Sequence, residues 1–422
     1  MSLKKEQQLW EACINGDLDI VKVLTSDPGV NVIWEDPEFS RTHFYGACFF
    51  GRLDVVEYML KDPRIDVNVQ QAQGRSPFFA ACQEGHKEVV ALLLADMRID
   101  VNLTKTGVVT PLFMACQKGR REVVALLLAD PRVEVNKPRD MLPTPFFIAC
   151  QNDHKEVVAL LLADMKIDVN KPMKGGFTPF IIACDRNRVE VISLLLADMR
   201  TDVTQTTDLQ GTPFYVACQN GCQEVVELLL DDPRIDINKP ETEQCTPLWM
   251  ASHNGHLGVV QLILASGREV DTQTKSLDGV DPWNNKNPAE IAQWVGAEPM
   301  DPEDTEEDYI RAKKNCLQIA DLIESFDLDP ATTRQHLREL PHLRTSFISA
   351  VFALVVFLCD DLLVIKPLTT KTSRFLRIAV QLPMELQMVL CNQLFGSGKD
   401  HVLTNHSEPA FKKLARKLLV RE

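Results

Sequence analysis

Twelve cysteines, nine histidines and a GSGKD segment at 396–400 are where this 422-residue chain could do chemistry. Six of the cysteines, Cys48, Cys82, Cys116, Cys150, Cys184 and Cys218, stand 34 residues apart, and no C-x-x-C pair occurs. Cysteines on successive turns of a repeating structure cannot all pair, and their spacing is not that of zinc ligands. They read as small buried residues in a reducing compartment. A phosphate loop needs an earlier glycine and a hydroxyl after its lysine, but Gln393 and Asp400 occupy those places and no strand precedes them. His86, His154 and His256 recur at one position of the repeat, which suits a structural role. No Ser/His/Asp or Cys/His arrangement and no paired acidic motif emerges, so the expectation is a protein without catalytic residues, cofactor or metal.

The elements that would position these residues follow from the same period. Thr42, Ser76, Thr110, Thr144, Thr178, Thr212 and Thr246 also stand 34 apart, and all but the first precede a proline. Thr110 suits an N-cap and Pro111 a first helical position, where its missing N–H costs nothing. A short helix through LFMACQK would stop at Gly119, and a second helix would carry Val123, Val124, Leu126, Leu127 and Leu128 on one apolar face. Two such helices cannot bury their faces alone, so each unit must stack on its neighbours. The turn between them holds Gly51, Gly85, Gly119, Gly221 and Gly255, but Asp153 and Asn187 in two units, which predicts a left-handed backbone there.

TPLFMAC, TPFFIAC, GHKEVVALLL and DVN together resemble the ankyrin repeat. The resemblance implies an all-α fold: a solenoid of 34-residue helix-turn-helix units, about nine including caps, with a small helical domain after it. The expected organisation is an N-terminal capping repeat at 1–40, seven repeats at 41–272, a degenerate last repeat with an acidic loop at 273–326, and the C-terminal helical domain at 327–422. Where the family has a histidine after its Thr-Pro-Leu, this chain has Tyr45, Phe79, Phe113, Phe147, Ile181, Tyr215 and Trp249, which predicts an apolar seam.

The family resemblance implies a non-enzymatic protein-binding scaffold or adaptor, a monomer whose contacts lie at the first-helix ends and the loop tips. The first-helix row holds Phe49, Gln83, Gln117, Gln151 and Gln219, and beside it stand Phe50, Glu84, Lys118, Asn152, Arg186 and Asn220. The loops QQAQGR, KPRDMLP, KPMKGGF and QTTDLQG share little beyond turn formers, and offer Arg75, Met141, Phe177 and Leu209 as contacts. Phe49 and Phe50 are the candidate anchor. The family also carries an association with hydroxylation at the asparagines matched by Asn68, Asn102, Asn136, Asn170 and Asn238, for which turn stabilisation is the structural alternative.

Charge argues against polyanions: 45 Lys and Arg against 59 Asp and Glu give −14, so neither nucleic acid nor an anionic membrane is an expected partner. The N-terminus shows no export signal, which places the protein in the cytoplasm or nucleus. The acidic run at 298–308 reads as a solvated loop. An uncharged run at 345–359 is too short to cross a membrane and reads as the central helix of the C-terminal domain. Within that domain LPMELQMVLCNQLF is similar to the opening of F-box segments, including F-box-like tails after ankyrin arrays in some poxvirus proteins. Leu382, Pro383, Glu385 and Leu386 carry the match, which implies ubiquitin-ligase docking. An effector enzyme housed in 327–422 is the reading from another class.

Overall fold

Each full repeat begins on a hydroxyl. The side chains of Thr42, Ser76, Thr110, Thr144, Thr178, Thr212 and Thr246 each accept a hydrogen bond from the backbone N–H three residues on, at 3.0 to 3.1 Å. These caps satisfy donors that a helix start leaves open, each contributing about 1 kcal/mol. The computed structural model describes residues 2–340 apart from Pro37, Thr106, Val108, 138–142, 278–284 and 299–305, together with Leu343.

The described residues form helices and turns, with no strand. The N-terminal pair is α1 (Ser2–Asn15) and α2 (Leu18–Thr25). Seven pairs follow: α3 (His43–Phe49) with α4 (Leu53–Leu60), α5 (Pro77–Glu84) with α6 (Lys87–Ala95), α7 (Pro111–Gln117) with α8 (Arg121–Ala129), α9 (Pro145–Gln151) with α10 (Lys155–Ala163), α11 (Pro179–Asp185) with α12 (Val189–Ala197), α13 (Pro213–Gln219) with α14 (Gln223–Leu230), and α15 (Pro247–His253) with α16 (Leu257–Ala265). Then come α17 (Pro288–Ala297), α18 (Glu306–Leu328) and α19 (Pro330–Arg338).

The chain divides into two compact units, Met1–Ala217 with Asp232–Asp236, and Cys218–Asp231 with Ile237–Glu422. In the first, α1, α3, α5, α7, α9 and α11 pack in that order, as do α2, α4, α6, α8, α10 and α12. The buried set repeats with the period: Phe113, Ala115 and Cys116 of α7 and Val123, Val124 and Leu127 of α8 have counterparts in every full pair of that unit. The seam residues Tyr45, Phe79, Phe113, Phe147 and Ile181 are all buried. All ten described cysteines are buried, with no disulfide among the described residues, and burial pushes up the thiols of Cys13, to about 12, and of Cys48 and Cys116. They are inert packing groups.

In the second unit, α14 packs on α16, α15 on α17, and α18 on α17, α16 and α15. Asn287 and Glu290 form a reciprocal capping box at the start of α17. Glu306, Glu307 and Asp308, the last acids of the run read as a loop, open α18. Helix α19, assigned from sequence to the C-terminal domain, packs on α16 and α18. Arg338 donates to the carbonyl of Ala265 from Nε and Nη2 at 3.1 and 3.0 Å, so it satisfies the end of α16. The run at 345–359 and the segment at 382–395 lie outside the described residues.

Candidate functional site

The surface offered to a partner depends on what ties consecutive repeats together, and three sets of side chains do so. The residue before each second helix caps nothing in its own helix. Where it is arginine or histidine it reaches back instead to the preceding first helix: Arg52 to Ile14, His86 to Phe49, Arg120 to Gln83, His154 to Gln117 and Arg188 to Gln151, between 2.7 and 3.0 Å to the backbone carbonyl. In the second unit His256 meets the Gln219 carbonyl at 2.9 Å. Most helices that give up the cap keep an acid in the first turn, such as Glu122 or Glu156, which the helix dipole favours, although α16 carries none.

The second set is the asparagines. Asn136 Nδ2 donates to the Lys166 carbonyl at 2.7 Å, and its Oδ1 accepts from Asp168 N–H at 2.9 Å. Asn68, Asn102, Asn170 and Asn238 make the same pair of bonds one repeat ahead. Turn stabilisation, the sequence-based expectation, describes only part of this, because these side chains join consecutive repeats. Arginines add a third tie: Arg132 grips Asp130 at 2.6 Å and donates to the Leu94 carbonyl at 2.6 Å.

Against this frame the expected contact residues divide. Lys118, Gln219, Asn220 and Leu209 are exposed, Leu209 by 69% at a loop tip. Arg186 is exposed but pairs with Asp185 of its own helix at 3.1 Å, which lowers the positive charge it offers. Gln83, Gln117, Gln151 and Phe177 are half-buried. The Gln83 amide donates to Glu84 at 2.6 Å, and Asn152 donates to the Gln117 carbonyl at 3.1 Å, so Asn152 acts partly as an inter-repeat tie. Met141, Leu382, Pro383, Glu385 and Leu386 lie outside the described residues. The loops are braced as well, with Ala72 N–H bonded to the Phe39 carbonyl at 2.8 Å and Asp208 N–H to that of Gly175 at 3.0 Å.

Phe49, Phe50 and Arg75 come together in a cleft of about 180 Å³ that Trp10, Phe39, Arg41, Tyr45, Gly46, Gln71 and Gln73 complete. Phe49 lies between Tyr45, stacked at 6.1 Å, and Phe50, edge-on at 5.0 Å. The cleft exists because Gly46 stands inside α3, where the other units carry Ala80, Met114, Ile148, Ile182, Val216 and Met250. A Cβ there would fall 2.8 Å from the Trp10 ring, so only glycine lets the indole lie on the helix. Sequence reasoning missed Trp10, Phe39, Arg41, Gln71 and Gln73. The lone glycine in a helix otherwise built of larger residues was the available signal.

Glu241, Glu243 and Cys245 bring potential metal ligands within 4.8 Å of one another. Glu241 is already engaged, accepting from Thr242 Oγ1 and Glu243 N–H at 2.8 Å each. Cys245 Sγ lies 3.8 Å from the Glu243 carbonyl, so the three residues form a hydrogen-bonded turn. No described helix is long and apolar enough to cross a membrane.

A family model described as ankyrin repeats in three copies matches residues 9–105, 44–139, 112–207 and 199–274. Among solved structures, the crystal structure of the human ASB11 ankyrin repeat domain is similar at 26% identity, covering 50% of this chain and 90% of that one with a TM-score of 0.43. No curated protein matches.

Proposed function

Because this chain belongs to the ankyrin-repeat family, we propose that it is a monomeric, non-catalytic scaffold that holds a partner protein against its first-helix ends and loop tips. The observation that carries this reading is where the near-identical units differ. Packing and tie residues recur with the period, whereas the exposed places hold Phe50, Lys118, Arg186 and Asn220, and the loop tips hold residues such as Leu209. Packing constrains the first group, and contact specificity has freedom only in the second. The thiols, buried and reduced, suit an intracellular compartment. The test is capture with the full chain followed by mass spectrometry, set beside a Lys118→Glu/Arg186→Glu variant that melts normally. A partner held as well by the variant as by the wild type would remove the first-helix row from the binding surface.

A second reading rests on the F-box-like segment: a ubiquitin-ligase substrate adaptor docking through Leu382, Pro383, Glu385 and Leu386. Full chain would then retain a ligase scaffold protein, and Leu382→Asp/Leu386→Asp would lose it. Equal retention by both chains would end this reading without touching the first.

A further inference from the structure

We propose that the aromatic cleft on α1 and α3 is an anchor site for an acidic peptide, one that sets a carboxylate beside a large apolar side chain. This rests on the protein-recognition reading and names the chemistry recognised at one end of it.

An aromatic enclosure ordinarily suits a cation. Here the cation is built in. The Arg41 guanidinium lies 4.4 Å from the Phe39 ring centroid and 5.4 Å from that of Trp10, and its Nε is fixed on Asp36 at 2.9 Å. A second cation would meet the charges of Arg41 and Arg75 across a small space. Asp36 does not offer itself to a ligand, because its carboxylate also accepts from the backbone N–H groups of Glu38, Phe39 and Arg41.

Arg75 points to the same ligand independently. It lines the cleft together with Tyr45 and Gln71. Its Nε is nevertheless buried without an acceptor among the described residues. A buried donor of this kind is completed by an oxygen, and a carboxylate supplies one with the opposite charge. The apolar half of the ligand follows from the rim, where Phe50 is 44% exposed and set edge-on to Phe49. The volume of about 180 Å³ accepts one anchoring side chain rather than a folded surface. The net charge of −14 repels acidic segments elsewhere, and with Arg41 partly neutralised by Asp36 it is chiefly the charge of Arg75 that makes the cleft selective for them. A nucleic acid would need a track of cations, and two arginines do not make one.

The probe is a random dodecapeptide display library selected on immobilised full chain, with Arg75→Gln/Phe50→Ser as the comparison surface. Both substitutions fall on partly exposed side chains, and a melt matching wild type checks folding. Wild type should enrich peptides with Asp or Glu next to Phe, Trp or Leu, and a selected synthetic peptide should bind the double variant about tenfold more weakly. Arg75→Lys, which folds with the charge kept but the planar fork lost, gives the same readout at one site. Basic or uncharged winners, no enrichment, undiminished binding to the folded variants, or displacement by an oligonucleotide would each overturn the proposal. Winners lost with Lys118→Glu/Arg186→Glu but retained by Arg75→Gln/Phe50→Ser would overturn it while leaving the scaffold reading intact.

Discussion

Gly119 sits at φ 66°, and a Cβ placed on it would fall 2.7 Å from Nδ1 of His154, the ring that caps the Gln117 carbonyl. Asp153 takes φ 63° in the next unit, where the residue 35 positions on is the longer, more flexible Arg188. Left-handed geometry alone therefore does not decide which side chain is tolerated; the residue 35 positions on also bears on it, although Gly85 faces Arg120 just as Asp153 faces Arg188. Gly119→Ala should cost about 2 kcal/mol, roughly half from the left-handed backbone and half from the displaced His154 hydrogen bond. In a His154→Ala background the same substitution should cost about 1 kcal/mol, because the clash and the bond are already gone. Urea denaturation of the four chains gives the coupling, and strictly additive losses would refute a shared cause. The sequence made the left-handed turns legible, since Asp and Asn replace only glycine there. It did not make Asn136 legible as an inter-repeat tie, because local pattern fixes a residue's type and turn while its partners, Lys166 and Asp168, lie a repeat away.

At the scale of elements, the loops after α4, α6, α8 and α12 are each held by an aspartate and an arginine two residues apart, and the arginine continues to the end of the previous second helix. Arg64, Arg98, Arg132 and Arg200 lower the pKa of Asp62, Asp96, Asp130 and Asp198, chiefly by hydrogen bonding to the carboxylates. A carboxyl whose folded pKa lies below its unfolded value stabilises fully above the unfolded value, about 4, and loses that contribution as pH falls through the folded one. The array should accordingly weaken in acid as several ties are released together. Asp130→Asn removes one of these groups, so its thermal stability should fall less steeply than wild type between about pH 4 and pH 2, although it starts lower at pH 7. Parallel curves would show that Asp130 titrates alike in both states. Helix starts were readable beforehand from Thr-Pro, whose capping is local chemistry. The cleft was only half readable: Phe49 and Phe50 drew attention as exposed aromatics, but Trp10 and Arg41 enter through packing across α1 and α3 that no period encodes.

For the whole molecule, the repetition sets how damage spreads. A repeat touches only its neighbours, so stability is close to a sum of units and the contacts joining them. In the first unit α8 packs on α6 and α10 in its own layer and on α7 in the other. Leu127 of α8 is 0% exposed, and Leu127→Ala should cost about 2–5 kcal/mol through the cavity it leaves. In a single globular core such a loss would be felt everywhere, because unfolding would be one transition. In a nearest-neighbour array it falls on a few helices. Hydrogen exchange should show protection lost across α5 to α10 and retained in α15 and α16, where Val259, Val260 and Ile263 are buried independently of Leu127. Uniform loss of protection across all of these helices would mean that the repeats behave as one cooperative body. The partner-binding experiments would then need rereading too, since a substitution at Lys118 or Arg75 could act on distant surfaces through stability rather than contact.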